Sequence, residues 1–579
     1  MFKKWSTFFN EMLSNRIMNR STRTMNHYSP RHQQQGSSTH HDPSNLFIHQ
    51  NDLLNSNSHS ASEFADDMIF QIYQFLDWKF IFSVCARVSK RWYLKSLEIP
   101  YALDLSDHFK EGRSISATKK KFYFDSTELL THFSKCRNVI RLTELNLKGC
   151  RVAYEGAVSI ASSPFMRNLT FLNLQNNELG NEGIRLIVNS ENSKKLKGLV
   201  LNENHFGYSG VLAIASSENL KLLQTLHLGQ NNIESIGLTA LCDSNSSVLK
   251  NLTSLDLSYN SVGSESDIQC LSQCQIFSNL KDLNLSGNRI HFNQVKFIAS
   301  SPILKNLMSL DMSDNFVVPE GAQFISEGSF QNLQTLKLKR NNIQDEGVKY
   351  ISESDKMKYL TWLDLGDNGI ENTGISYLAN NNTSQLKHLT ALFLEKNYIL
   401  TQGVSAIANS VHLSQHVRIL NLAENFILQE GIKLLCERMK NLTWLNVKGC
   451  MIGNDGIEML SQSENMKQLT FLDVSFNELG TPCAISLANS PILSHLKELL
   501  LSHNHVGFYG ANAIATSPYL NLRRLEISGN CIGVEGEKLI RENLVNLEGF
   551  FVQERRSFDD DIDMLDELVD SSESESSFE

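Results

Sequence analysis

Hydrophobic and polar positions run through most of the chain in one cycle, L-x-x-L-x-L-x-x-N/C followed two residues on by another apolar residue. It begins fifteen times, at Leu142, Leu169, Leu196, Leu223, Leu252, Leu280, Leu307, Leu333, Leu360, Leu389, Val417, Leu442, Leu469, Leu496 and Leu522, with starts 25 to 29 residues apart. A degenerate sixteenth copy at Leu547 keeps Phe550 and Val552 in the strand positions but has Arg555 where Asn belongs. That pattern suits a terminal cap shielding the last core layer from water.

Each cycle predicts one strand followed by one helix. In LTWLDLGDNGIENTGISYLAN, Leu363 and Leu365 alternate as the inward face of a strand, and Ile375, Leu378 and Ala379 follow at helical spacing. The helical stripe recurs as Val404, Ile407, Ala408 and as Ile432, Leu435, Cys436. Parallel strands require crossovers, and one helix per cycle supplies them. The predicted fold class is therefore α/β, a curved solenoid with its sheet inside and its helices outside.

The ninth position is Asn in thirteen cycles, from Asn177 to Asn530, and Cys in two, Cys150 and Cys450. A carboxamide can donate to and accept from the backbone of the turn leaving the strand, so these Asn read as scaffold. From Leu142 to Val552 the residues resemble the leucine-rich repeats of the ribonuclease-inhibitor class. The resemblance implies a horseshoe with a parallel sheet on the concave face and helices on the convex face, and a habit of binding proteins; it does not by itself fix a function.

Ahead of the repeats, Phe64 to Trp92 forms a separate pattern. Met68, Ile69, Ile72, Phe75 and Leu76 lie at helical spacing, then after a break come Ile81, Val84, Cys85 and Val88. This helical hairpin resembles an F-box: Phe64-Ala65 stand in the Leu-Pro place, Asp67 in the Glu place, and Val88-Ser89-Lys90-Arg91-Trp92 as the closing motif. The Pro is missing, and the interval from Leu76 to Trp92 is one residue longer than usual. What the resemblance implies is docking on a Skp1-like adaptor of a cullin ligase through Phe64, Met68, Ile69, Ile72, Leu76, Ile81, Val84, Val88 and Trp92, with the repeats holding the protein to be modified. A hairpin that merely caps the first repeat is the structural alternative.

Composition narrows the rest. Residues 557–579 hold ten acidic side chains and no basic one, which accounts for the whole formal charge of −10. The remainder is near neutral, so neither nucleic acid nor a membrane surface is an expected partner. No stretch approaches the roughly 20 apolar residues of a membrane span, and no secretory h-region opens the chain. The ten cysteines are scattered without zinc spacing, so no metal or cofactor is expected, and the cytoplasm or nucleus is the expected location. Phosphate-loop, H-E-x-x-H and G-x-S-x-G motifs are all missing, which leaves no catalytic residue to name.

The chain thus divides into a disordered segment 1–60, the F-box-like motif 61–100, a linker and N-terminal cap 101–141 with a short strand from Tyr101 to Leu105, the repeat array 142–552, and an acidic disordered tail 553–579. On the strands, the third, fifth and seventh positions of each cycle face the concave side and are mostly polar. Repeats nine to thirteen break that rule with Trp362, Phe393, Ile419, Trp444 and Phe471 on successive strands. This stripe is the expected docking site for a protein substrate, in a chain acting as a monomer within its complex. The expected function is that of an F-box substrate receptor. A GTPase-activating protein resembling the Ran regulator, or a repeat scaffold or inhibitor without ubiquitin transfer, are the alternatives.

Overall fold

The computed structural model describes residues 101–104, 130–131, 134–135, 140–242 and 247–552. Segment 1–60, the F-box-like pattern of Phe64 to Trp92 with the nine positions expected to bind an adaptor, and tail 553–579 lie outside the described residues. Seventeen strands form one sheet, each pairing in parallel with its neighbour in chain order. Fifteen are the strands of the repeats, from Leu142–Asn146 to Arg524–Glu526, and Gly549–Phe551 is the strand of the degenerate last copy. Tyr101–Asp104 adds an edge strand beside Leu142–Asn146.

Most repeat strands are three residues long, with the central Leu turned inward; Leu363 and Leu365 are wholly buried. The helical stripes meet them from the other side, Ile375 and Leu378 also being wholly buried, so one apolar core runs the length of the array. Neighbouring strands lie about 4.8 Å apart while packed helices need about 8–10 Å. Every repeat therefore splays outward on its helical side, and the sheet lines the concave face of a leucine-rich-repeat solenoid.

Two hydrogen-bond ladders tie the repeats together. Asn368 donates its carboxamide to the Leu338 carbonyl (2.9 Å) and accepts from the Asn341 and Ile343 amides (2.9 and 3.3 Å). All three partners belong to the preceding repeat, so the ladder Asn serves its neighbour's turn as well as its own. Cys450 holds its place through its thiol, 3.1 Å from the Leu422 carbonyl, and burial pushes that thiol up to about 12. The second ladder lies at the helix ends. Ser190, Ser217 and Ser463 donate to the last carbonyls of the preceding helices, Ala161, Val188 and Cys436, at 2.6, 2.6 and 2.8 Å. Helix C-termini leave such carbonyls without an internal partner, and the next repeat's Ser supplies one.

The residue before each ladder position has φ between +52 and +68° in all fifteen repeats, and only Gly149, Gly287, Gly449 and Gly529 are glycines there. Eleven side chains thus sit in the left-handed region, a conformation costing about 1 kcal/mol or more that the ladder bonds hold in place.

Candidate functional site

Strand register places the aromatic residues. Trp362 pairs with Ala391, Ala391 with Ile419, Ile419 with Trp444, and Trp444 with Phe471, one row across five strands at the third position of each repeat. Phe393 is not in that row. It sits at the fifth position, opposite Asp364 and Asn421, while the small, buried Ala391 takes the third.

The rings nevertheless meet. Trp362 and Phe393 stack at 4.8 Å between centroids, Phe393 lies 6.0 Å from Trp444 across the Ile419 strand, and Trp444 and Phe471 stack at 4.4 Å, within 9° of parallel. All four rings and Ile419 are half-buried. They rest on one another and form an apolar shelf on the concave face. Elsewhere a ring at the third position behaves differently: Phe171 lies against Gly198, where an added Cβ would come within 2.5 Å of it. The shelf needs consecutive rings.

Polar groups edge the shelf. Lys339 pairs with Glu395 at 2.6 Å, and Glu395 also accepts from the Asn421 carboxamide at 2.9 Å. Beside them Asp364 accepts from the Gly366 amide at 3.0 Å, and burial, with the Glu395 charge adding, pushes its carboxyl up to about 6. Next to the second stack, burial also raises Asp473, which accepts from the Ser475 amide at 2.9 Å. Asx turns of this kind recur at the fifth position, as in Asn173, Asn284 and Asn446, so those residues shape the turn more than they advertise a ligand. Such a surface suits binding by burial of apolar area with charged groups fixing orientation. Among the described residues, no cluster of three or more His, Cys, Asp or Glu is arranged to hold a metal ion, and no helix is long and apolar enough to cross a membrane.

One feature lies outside the strand positions from which the shelf was expected. On the rim following the strands, Tyr398, Leu400, Phe426, Leu428 and Met451 stand 42 to 64% exposed in three consecutive repeats. The signal is present in the sequence one and three residues after the ladder position, where apolar side chains face solvent in these repeats alone so densely. Next to them opens a shallow cavity of about 1010 Å³, lined by Phe316, Arg340, Asp345, Glu346, Asp367, Glu371 and Tyr398 among others. Arg340 is held between Asp314 at 3.3 Å and Asp367 at 3.1 Å.

The Leucine Rich repeat family model matches eight stretches: residues 142–161, 165–188, 219–242, 248–266, 331–352, 356–379, 438–461 and 520–539. Among curated proteins nothing matches. Similar solved structures include an internalin from Listeria monocytogenes, 19% identical with a TM-score of 0.29, covering 68% of this chain and 82% of that one. A leucine-rich-repeat protein of Leptospira interrogans is 20% identical with a TM-score of 0.35, covering 72% and 91%. The mouse RP105/MD-1 complex is 18% identical with a TM-score of 0.37, covering 70% and 75%.

Proposed function

We propose that this chain is a substrate receptor: the concave shelf of repeats nine to thirteen captures a protein, and the motif at 61–100 docks the receptor on a Skp1-like adaptor of a cullin ligase, in the cytoplasm or nucleus. The leucine-rich repeats make the chain a protein-interaction module, and the shelf is the observation that carries the rest. Four contiguous half-exposed rings exceed what a solvated sheet needs, and large aromatic side chains dominate binding hot spots. The F-box-like pattern of Phe64 to Trp92 supports the adaptor half of the reading. A GTPase-activating role would require an Arg or Asn aimed at a bound nucleotide from the rim, and the sequence singles out none.

The test has two arms. Co-purification with a Skp1-like adaptor should be abolished by Leu76→Asp combined with Ile81→Asp, and unchanged co-elution of that variant would reject adaptor docking. Capture of a protein partner should weaken by roughly 2 kcal/mol in Trp444→Ala and little in Asp256→Ala. Equal capture by both would remove the shelf from the binding site while leaving the adaptor arm standing.

A further inference from the structure

We propose that the rim of repeats seven to twelve is a second docking surface, built for a protein segment in which a Lys/Arg cluster adjoins an apolar stretch. The proposal is independent of the concave shelf. Tyr398, Phe426 and Met451 occupy the same position of three consecutive repeats, each the first residue after its ladder residue, and are 64, 51 and 56% exposed. Leu400 and Leu428, two residues further along the first two of these repeats, are 42 and 45% exposed. A backbone bridge joins Leu400 to Phe426, so the ridge is continuous from repeat to repeat. Contiguous apolar patches of this kind on a protein surface mark interaction sites.

Charge identifies the occupant. The cavity beside the ridge is lined by four carboxylates, Asp345, Glu346, Asp367 and Glu371, against the single guanidinium of Arg340, which is already shared by Asp314 and Asp367. Among the described residues Asp345, Glu346 and Glu371 have no cationic partner. The dipole of the helix Gln344–Glu353 favours acids in its first turn, which accounts for Asp345 and Glu346 but not for the ridge beside them. Beside the ridge itself Lys396 and Lys448 share Glu424, so the unpaired negative charge is confined to the cavity; a second copy docked there would set carboxylates against carboxylates, and the chain's own tail carries ten acids. A basic segment with apolar neighbours satisfies both halves of the surface: its cations enter the cavity and its apolar side chains cover Tyr398, Phe426 and Met451.

The test uses the full chain and a defined pair of probes, a helical peptide with a Leu face and a Lys-rich end, and its twin with Glu in place of Lys. The Lys peptide should bind about tenfold or more tighter than the Glu twin. Phe426→Asp and Met451→Asp should each weaken it about tenfold, and Asp345→Lys with Glu346→Lys should reverse the preference between the two peptides. Equal binding of the peptides, or an unchanged preference in the double Lys variant, would overturn the proposal. In cells, a photo-crosslinking residue at position 426 should attach to a segment rich in Lys or Arg beside apolar residues. Crosslinks to an acidic segment, to a second copy, to the chain's own tail, or to nothing would overturn it equally.

Discussion

Lys339 reaches across an entire repeat to pair with Glu395 at 2.6 Å, and Gly366 lies beneath the bridge. A Cβ built on Gly366 would fall 2.7 Å from the Glu395 carboxylate, which is itself fixed by Lys339 and by the Asn421 carboxamide. Gly→Ala where the backbone needs no positive φ ordinarily stabilises by about 0.4–1 kcal/mol. Here the methyl must displace a held carboxylate, an overpacking cost of about 1–3 kcal/mol. Gly366→Ala is therefore expected to lower stability by about 1 kcal/mol in urea unfolding, and a gain in stability would show that the bridge is dispensable.

Asn368 gives the second prediction. Replacing it with Leu keeps the branched shape but strands the Leu338 carbonyl and the Asn341 and Ile343 amides in a dry interior. Leaving buried backbone groups unpaired costs about 1–3 kcal/mol each, although part is recovered by relaxation. Asn368→Leu is expected to cost about 3 kcal/mol or more and to speed amide exchange at Asn341 and Ile343 in particular. A loss below about 1 kcal/mol would mean that the ladder is not what joins the repeats.

Asp364 makes stability depend on pH. Its carboxyl lies at about 6 in the folded chain, against about 3.9 in an unfolded one. The folded state therefore binds this proton more tightly, and its contribution to stability falls as pH rises from about 4 through 6, then levels. Asp364→Asn retains the acceptor for the Gly366 amide, as Asn446 does for Lys448, and removes the charge. The variant should gain on the order of 1–2 kcal/mol over wild type near pH 7 and nothing near pH 4. The difference between the two unfolding curves at each pH checks this; a constant difference would place the titration elsewhere.

Much of this is legible in the sequence alone. The period of Leu and Asn gave the strands, helices and buried face, because a solenoid repeats one local solution and each cycle reports on all the others. The concave positions followed from strand alternation. Counting from Leu389 even assigns Ala391 to the third position and Phe393 to the fifth. What counting cannot give is the contact: Phe393 meets Trp362 through its rotamer, not its register. The ladder's reach into the preceding repeat, and the Ser bonds at helix ends, depend on how neighbouring repeats stack. The rim ridge escaped because it lies past the strand, in a turn whose left-handed residues break any simple alternation.

Trp362 separates what the shelf does for the fold from what it does for binding. Its indole N–H is buried and finds no acceptor among the described residues, while its ring supports Phe393. An orphaned donor costs about 1–3 kcal/mol, and a stacked aromatic pair contributes about 0.5–1.5 kcal/mol beyond the area it buries. Trp362→Phe keeps a ring against Phe393 and deletes the donor, so stability should hold or rise by up to about 1 kcal/mol. Trp362→Ala removes both and should lose about 2 kcal/mol, less than a wholly buried ring would. Trp444 has no such orphan and stacks nearly parallel on Phe471, so Trp444→Phe should be mildly destabilising instead. Chemical unfolding of the three variants, followed by near-ultraviolet circular dichroism, reads the order directly. If Trp362→Phe costs as much as Trp362→Ala, the indole is held by more than the stack, and the shelf's first ring has been misassigned.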